Sequence, residues 1–229
     1  MKQNILGVTL ARGGSKSIKN KNLTTINGKP LVYYTIKEAK KSKKITHYII
    51  STDSLKIKQV AKKYNVDVPF IRPKKFSKDN SSSASALKHA LVQCEKFYDK
   101  KFDYIIELMA TNPLKSVVDI NNVIKILIRH KADSVIAVNQ IFDHHPARIK
   151  RIIKGKLHDF AVKEKLETRR QDLKPNAYVR SGSIYAMSRK FVMQEKRYFS
   201  GKSYAYILPS KRTINIDEKN DLLIAKIKV

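Results

Sequence analysis

Residues 5–16 read Ile5-Leu6-Gly7-Val8-Thr9-Leu10-Ala11-Arg12-Gly13-Gly14-Ser15-Lys16, an apolar run that passes directly into a loop of small and basic residues. The apolar run predicts a buried first strand that ends at Leu10. Paired glycines let backbone N–H groups approach an anion, and Arg12, Lys16 and Lys21 supply positive charge around it. The spacing matches neither the Walker loop nor the dinucleotide motif G-x-G-x-x-G. The loop therefore predicts a site for the phosphates of a nucleotide, and a basic turn without a ligand is the alternative.

Strand-like and helix-like segments alternate along the chain. Strands are predicted at residues 5–10, 48–51, 104–108 and 134–138, and helices at 31–40, 55–64, 84–97 and 116–130. This alternation predicts an α/β fold, a Rossmann-like and mostly parallel sheet with helices on both faces. Such sheets bind ligands at the carboxyl ends of their strands, so the loops after Leu10, Ser51 and Leu108 are expected to line the site.

The pattern changes between residues 141 and 176. Prolines, charge clusters and a short alternating piece around the turn Lys154-Gly155-Lys156 indicate an inserted hairpin or arm. The sheet is expected to resume at 183–187, with short strands at 205–207 and 213–216 and a closing helix over 218–229. We interpret residues 1–229 as a single domain that carries the arm 141–176.

The composition is basic, with a formal net charge of +29, but the charge is dispersed. The 48 lysines and arginines are scattered through every segment, without a basic tail or an aromatic-basic motif. This distribution argues against specific nucleic-acid binding and predicts weak adhesion to polyanions at low salt. No apolar run reaches the roughly twenty residues of a membrane span, no signal peptide is recognisable, and the single cysteine Cys94 forms no internal disulfide. We therefore expect a cytoplasmic protein that does not bind membranes.

Two consecutive motifs resemble a known family. Residues 11–22 match A-R-x-x-S-K-x-(I/L)-x-x-K-N, and residues 27–31 match N-G-x-P-L. Together they resemble the N-terminal signature of the CMP-sialic acid synthetases, the acylneuraminate cytidylyltransferases, and further matches follow in the same order over nearly the whole chain. The resemblance implies a fold of the nucleotide-diphospho-sugar transferase type whose arm makes a homodimer contact. It also implies transfer of CMP from CTP to the anomeric hydroxyl of a nonulosonic acid, with release of pyrophosphate, for surface glycan synthesis.

The resemblance implies residues for the nucleotide. Arg12, Ser15, Lys16 and Lys21 would hold the triphosphate, and Asn22 would contact the cytosine. Residues 72–83 match R-P-x-x-(L/F)-x-x-D-x-(S/A)-S-S, and Asp79 or Ser83 as a helix cap is the alternative reading of this segment. The implied nucleotide-binding residues are Ala11, Arg12, Gly13, Ser15, Lys21, Asn22, Arg72, Ser81 and Ser82. The implied catalytic residues are Arg12, Lys16, Lys21 and Asp217.

Residues 108–115 correspond to the family's L-Q-P-T-S-P-L-R, with Met109 in place of a glutamine that touches the sugar. A thioether is at best a weak acceptor, so this change favours a less hydroxylated sugar of the legionaminic type. The implied sugar-binding residues are Met109, Thr111, Arg148, Arg170, Tyr185, Tyr198 and Phe199. Arg148 and Arg170 would reach the neighbouring subunit's site, whereas Tyr185 and the pair Tyr198-Phe199 have core packing as their alternative.

Residues 213–217 fall where the family carries I-D-I-D, an aspartate pair that coordinates Mg²⁺, with Mn²⁺ as the alternative ion. Strand alternation puts Asn215 and Asp217 on one face, but the amide removes one negative charge. Weaker metal affinity is the modest expectation and loss of activity the severe one. Asn215 thus keeps open a non-catalytic relative that binds CTP or a polyanion. A Kdo-type cytidylyltransferase is a further alternative, which Lys21-Asn22, the His144-His145-Pro146 segment and Tyr198-Phe199 disfavour.

Overall fold

The computed structural model describes residues 3–15, 17–163, 169, 172–195 and 199–229. The strands are β1 (Ile5–Leu10), β2 (Thr25–Ile26), β3 (Lys29–Pro30), β4 (His47–Ser51), β5 (Tyr104–Leu108), β6 (Ser134–Ile141), β7 (Lys150–Ile153), β8 (Lys156–Asp159), β9 (Ala177–Ser188) and β10 (Ser203–Ile207). The helices are α1 (Leu31–Lys41), α2 (Leu55–Lys63), α3 (Ser83–Phe97), α4 (Val117–Arg129), α5 (Arg189–Met193) and α6 (Lys219–Lys228).

Six strands form one central sheet in the order β10-β6-β9-β5-β1-β4. β1 pairs in parallel with β4 and β5, and β6 pairs in parallel with β10. β9 runs antiparallel between β5 and β6. The predicted mostly parallel sheet is therefore confirmed, with one reversed strand near its middle.

Alternating side chains of the strands build a core on each face of the sheet. On one face, Leu6 and Val8 pack in a cluster with Leu87 and Leu91 of α3, and we call this the α3 face. On the opposite face, Ile106 and Leu108 of β5 lie in a cluster with residues of α4. A further cluster packs α1 and α2 against Ile50 of β4. Helices cover both faces, as the alternation of segments predicts.

The strand predicted at 213–216 is wrong. These residues follow a 3-10 turn over Ser210–Arg212 and run as an extended segment outside the sheets. Their link to the central fold includes the Ile216 N–H, which donates to Thr111 O over 2.9 Å. Alternating apolar residues suit such a crossing segment as well as a strand, because Ile214 and Ile216 are buried while Asn215 between them is exposed.

The caps of two helices differ in how well the sequence identifies them. Ser54 caps α2, its side chain accepting from Ile57 N. For α3 the cap is Ser82, which accepts from Ser85 N, and neither Asp79 nor Ser83 has this role. Several neighbouring polar residues have the chemistry of a cap, so only the course of the backbone selects one of them.

The predicted hairpin in the arm is confirmed. β7 and β8 form a separate two-stranded sheet, joined by Lys154 and Gly155, both with positive φ. That conformation is typical of the tight turns that match the twist of paired strands. Ile152 and Leu157 lie directly opposite each other and are 73% and 71% exposed. The hairpin thus presents apolar surface to solvent.

In the part of the chain that the structure describes, the search for a helix both long and apolar enough to span a membrane finds none.

Candidate active site

Two adjoining cavities open at the carboxyl ends of β1 and β5, where the loops after Leu10 and Leu108 meet. The first, which we call the loop cavity, has a volume of about 350 Å³, and the second, the α3 cavity, about 290 Å³. Leu10, Arg12 and Met109 line both of them. The loop cavity brings together the candidates Arg12, Ser15, Lys21, Asn22, Met109, Thr111 and Asp217. The α3 cavity brings together Arg12, Arg72, Ser81, Ser82 and Met109.

The loop after β1 is held by the neighbouring strand. Gly13 N donates to Asp53 Oδ1 over 2.8 Å, and a Cβ at Gly13 would lie 3.0 Å from Ser54 Cβ, so a larger residue there would require Ser54 to move slightly. Ala11 does not line either cavity, because its N–H donates to Ser51 O and its side chain is buried. The main chain of Ala11 extends the sheet ladder and shapes the loop from behind.

Lys21 connects this loop to the far end of the chain. Its side chain, 11% exposed, donates from Nζ to Ile216 O over 2.7 Å and to Asp217 Oδ1 over 3.0 Å. Asn22, next to it, donates from Nδ2 to Arg12 O over 3.1 Å. Asn22 therefore lies beside the basic loop, at the wall of the loop cavity, and holds the main chain of Arg12.

Asn215 and Asp217 contact each other although no strand contains them. Asn215 Nδ2 donates to Asp217 Oδ2, so the two side chains lie on one side of the extended segment. On its other side Asn215 packs against Gly182, which has φ +60°, and a Cβ there would lie 3.1 Å from Asn215 Oδ1. Gly182 falls in the irregular stretch where the β6–β9 register shifts.

The donors at this point suit a hard cation that is shared with a ligand. Asp217 offers a carboxylate that is 62% exposed, and Asn215 offers an amide oxygen. Mg²⁺ is commonly held by one or two carboxylates together with substrate phosphates, so these residues fit such an ion. The Lys21 ammonium shares the carboxylate of Asp217 and competes for its charge. Within the described ranges, no group of three His, Cys, Asp or Glu residues forms a cage for a metal.

A buried guanidinium forms part of the wall of the α3 cavity. Arg72 is almost fully buried and donates from Nε to Ser77 Oγ over 3.0 Å. Burial lowers the pKa of Arg72, Asp53 and Glu107 act to raise it, and Arg12 adds a smaller lowering effect. Arg12 in turn pairs with Asp79 over 2.8 Å, across the cavity mouth. The lining of this cavity therefore combines two guanidinium groups with the carboxylates of Asp79 and Glu107.

The two serine candidates hold the loop that precedes α3. Ser81 Oγ donates to Lys75 O over 2.8 Å, whereas Ser82 Oγ accepts from Ser85 N as the helix cap. Both line the α3 cavity with oxygens that can also face a ligand. Capping and ligand contact are thus compatible for Ser82.

Glu107 is a residue of this site that motif reasoning misses. It is 0% exposed and lines the α3 cavity with Arg72 and Met109. A carboxylate inside the apolar run Tyr104–Leu108 was the available signal, because burying a charge is costly without a compensating partner. Lys115 is a second missed residue, and because it lies outside any apolar run, nothing in the sequence indicated its burial.

A third cavity lies on neighbouring strands of the α3 face. This groove, about 460 Å³ in volume, is formed by β6, β9 and β10, and it is lined by Val138, Tyr178, Arg180 and Phe199 among others. Phe199 is strongly exposed there. Tyr185 instead packs in the core beneath this face, where burial raises its pKa, so the packing alternative describes its position.

The remaining candidates lie outside the cavities or outside the described residues. Arg148 is exposed at the base of the arm, in a 3-10 turn with Pro146. His145 fixes this turn, since Nδ1 accepts from Ala147 N and Nε2 donates to Pro175 O. Lys16, Arg170 and Tyr198 lie outside the described residues.

Similarity to known proteins covers nearly the whole chain. The chain is 30% identical over 218 residues to the pseudaminic acid cytidylyltransferase of Campylobacter jejuni, spanning 95% of this chain and 92% of that protein. It is 27% identical over 230 residues to the CMP-N,N'-diacetyllegionaminic acid synthase of the same species, spanning 98% and 94%. The solved structure of CMP:2-keto-3-deoxy-manno-octonic acid synthetase complexed with CTP matches with a TM-score of 0.72 and 14% identity, spanning 98% of each chain, and so supports the fold.

The sequence model described as cytidylyltransferase matches residues 6–218, from the first strand through Asp217. This chain belongs to the cytidylyltransferase family.

Proposed function

We propose that this enzyme transfers CMP from CTP to the anomeric hydroxyl of a nonulosonic acid and releases pyrophosphate. The observation that carries the proposal is the pair of cavities that share Leu10, Arg12 and Met109. One is edged by Lys21 and Asp217, groups that suit a triphosphate and its cation. The other offers a guanidinium and serines, which suit a base and a ribose.

Arg12 stands at the junction of the two cavities, where the α-phosphate of a nucleotide spanning both would lie. Its guanidinium can bind two phosphate oxygens, and Lys21 adds a point charge to the loop cavity. Ser15 contributes a hydroxyl to the same cavity. In this proposal Arg12 and Lys21 stabilise the negative charge that develops on the phosphates. Asn22 maintains the conformation of the loop, and Arg72 contacts the nucleoside.

In the proposed reaction, the anomeric oxygen loses its proton and bonds to the α-phosphorus, while the bond to the bridging oxygen breaks and pyrophosphate leaves. Such transfers depend mainly on alignment and on neutralised charge. Asp217 and Asn215 would hold a Mg²⁺ ion, or Mn²⁺, which supplies additional neutralisation when bound. The Asn215 contact to Asp217 and the Lys21 ion pair keep these ligands ordered before substrate arrives.

The groove on β6, β9 and β10 is the part of the proposed site that would bind the sugar acid. Its mixed lining of aromatic rings and Arg180 suits a sugar acid that carries apolar acyl groups and a carboxylate. The relatives named for pseudaminic and diacetyllegionaminic acid support a sugar of this class. Met109 follows β5, which lies in the sheet between β9 of the groove and β1, the strand before the basic loop. Its thioether favours a less hydroxylated sugar over N-acetylneuraminic acid.

We further propose a homodimer whose arms pack against the partner subunit. The exposed Ile152 and Leu157 of the hairpin supply apolar surface for such a contact, and Arg148 at the base of the arm would be directed to the partner's site. Because CTP is a nucleotide of the cytoplasm, the proposal implies a cytoplasmic reaction.

The test is pyrophosphate release from CTP and Mg²⁺ with N-acetylneuraminic, legionaminic, pseudaminic and Kdo-type acids, with each product identified by mass. Release with a diacylamino nonulosonic acid is the expected result. Release with the Kdo-type acid alone would support that neighbouring class instead. Silence across the panel, with CTP binding intact, would favour the non-catalytic relative that Asn215 keeps open.

A further inference from the structure

Lys115 is a charged residue enclosed in the interior directly behind the candidate active site. Its side chain is 1% exposed, and it immediately precedes Ser116, the cap of α4. Nζ donates to Thr35 Oγ1 over 2.7 Å, to Met109 O over 2.7 Å and to Asn112 O. An ammonium has three N–H groups, and here all three have an acceptor.

Two of these acceptors belong to the loop that lines the site. Met109 borders both cavities, and Thr111 borders the loop cavity. The loop is also the support for the segment that carries Asp217, because Thr111 O accepts from Ile216 N over 2.9 Å. Asn112 adds a second link, donating from Nδ2 to Arg212 O over 3.2 Å. A shift of residues 109–112 would therefore be passed on to residues 212–217.

We propose that Lys115 is a positioning residue, which holds residues 109–112 in the conformation that presents Met109 and Thr111 and that anchors the segment bearing Asp217. Lys115 itself lines neither cavity, so it acts through the main chain of the loop. Hydrogen exchange tests this role independently of the proposed function, and only the kinetic measurements described below depend on that function.

The number of donors at Nζ depends on the charge of the group. Burial lowers the pKa of Lys115 to about 7, while Glu38 on α1 and Asp119 on α4 are the charged groups that act to raise it. The neutral amine has two N–H groups, enough for the two loop carbonyls, but its hydrogen bonds to them lose the strength that the charge of the ammonium provides. The hold on the loop is thus expected to weaken as pH rises through 7.

Two substitutions separate the effect of the hydrogen bonds made by Lys115 from the effect of its charge. Lys115→Met keeps a long side chain and removes every donor. Lys115→Arg keeps donors and stays charged at all working pH values, and arginine is the residue of the L-Q-P-T-S-P-L-R motif at this place. Lys125→Met, on the exposed side of α4, is the matched control. Each protein is examined by hydrogen exchange of residues 109–112 and 213–217 relative to β1 and β4, and by kcat and KM for CTP from pH 6 to 9.

We expect Lys115→Met to accelerate exchange in both segments and to lower kcat by about tenfold or more, since small misplacements at a reacting centre are costly. Lys115→Arg should retain activity, and the ratio of wild-type to Lys115→Arg activity should fall as pH rises. The proposal is overturned if Lys115→Met exchanges like wild type in both segments.

The wild type and Lys115→Arg provide the test if Lys115→Met does not fold. Protection of residues 109–112 relative to β1 should then fall from pH 6 to 9 in the wild type and stay constant in Lys115→Arg. Equal behaviour of the two proteins would also overturn the proposal. Because hydrogen exchange is measured without substrate, it tests the role of Lys115 even if the protein transfers CMP to none of the sugars.

Discussion

Lys21 joins the loop after β1 to the segment of Asp217 through two hydrogen bonds, one of them to Ile216, 195 positions further along the chain. Lys21→Met removes both hydrogen bonds and one positive charge from the loop cavity. We expect kcat/KM for CTP to fall by about 10²-fold, because charge aimed at developing negative charge contributes strongly. Lys19→Met, in the same loop but exposed, is the control and should differ little in steady-state kinetics. Equal effects of the two variants would exclude a specific role for Lys21.

Asn215→Asp restores a second carboxylate beside Asp217. Without metal, the variant has two neighbouring negative charges where the wild type has a hydrogen bond between Asn215 and Asp217. We therefore expect the variant to have a lower Tm than the wild type in EDTA. With metal the added charge should lower the Mg²⁺ concentration for half-maximal activity by about tenfold. Thermal melts with and without Mg²⁺ measure the first effect, and a Mg²⁺ titration of activity measures the second. An unchanged titration would remove residue 215 from the ion site.

Met109→Gln tests the sugar argument at one side chain. The glutamine amide offers a donor and an acceptor where the thioether offers almost none. We expect the ratio of kcat/KM for N-acetylneuraminic acid to that for the preferred sugar to rise, with KM for CTP little changed. An unaltered sugar ratio in competition assays would show that Met109 does not take part in sugar recognition.

At the scale of elements, α4 is tied to the far end of the chain by the buried carboxylate of Asp119. It forms a capping box with Ser116, accepts a bidentate pair from Arg212 at 2.7 and 2.8 Å, and accepts from Tyr206. Burial acts to raise the pKa of Asp119, but the bonds from Arg212, Ser116 and Tyr206 hold it below the usual range. This one side chain therefore orients the 3-10 turn that leads to Asn215 and Asp217.

Asp119→Asn should lower the free energy of unfolding by about 2 kcal/mol at pH 7, since it removes the buried carboxylate that accepts the charged hydrogen bonds of the partly exposed Arg212. Because the folded pKa is depressed, this stabilisation is present above the unfolded pKa and is lost as pH falls through the folded value. The difference between the two proteins in urea unfolding should therefore shrink below about pH 4. Asp99→Asn, at an exposed position, is the control, and a difference independent of pH would contradict the assignment.

At the scale of the whole molecule, the exposed hairpin predicts the oligomeric state. Ile152→Lys with Leu157→Lys puts two charges on the apolar face of β7 and β8, where an interface would have to bury them. We expect sedimentation analysis to give a dimer for the wild type and a monomer for the double variant. Val118→Lys, at an exposed apolar position on α4, should leave the dimer intact. A fully active wild-type monomer would contradict the proposed dimer.

Local pattern was sufficient for most of the longer elements and for the type of fold. The apolar run before Arg12, the alternation of strands and helices and the turn at Lys154-Gly155 each depend on neighbours within a few residues, and each is found as predicted. The same locality explains the errors. An extended segment such as 213–216 has the pattern of a strand wherever alternate residues are buried, and α5 spans only five residues, too few for a helical period to be visible.

The contacts that make the site are of another kind, because they join segments that are far apart in sequence. Lys21 contacts Ile216 and Asp217, and Gly182 of β9 contacts Asn215, because the segment 213–217 packs against both the loop after β1 and the sheet. Lys115 and Glu107 are enclosed because the elements around them converge there. Motif matching identified the candidate residues of the loop after β1. The burial of a charge and the partner that compensates it follow instead from the three-dimensional arrangement of segments that no local window contains.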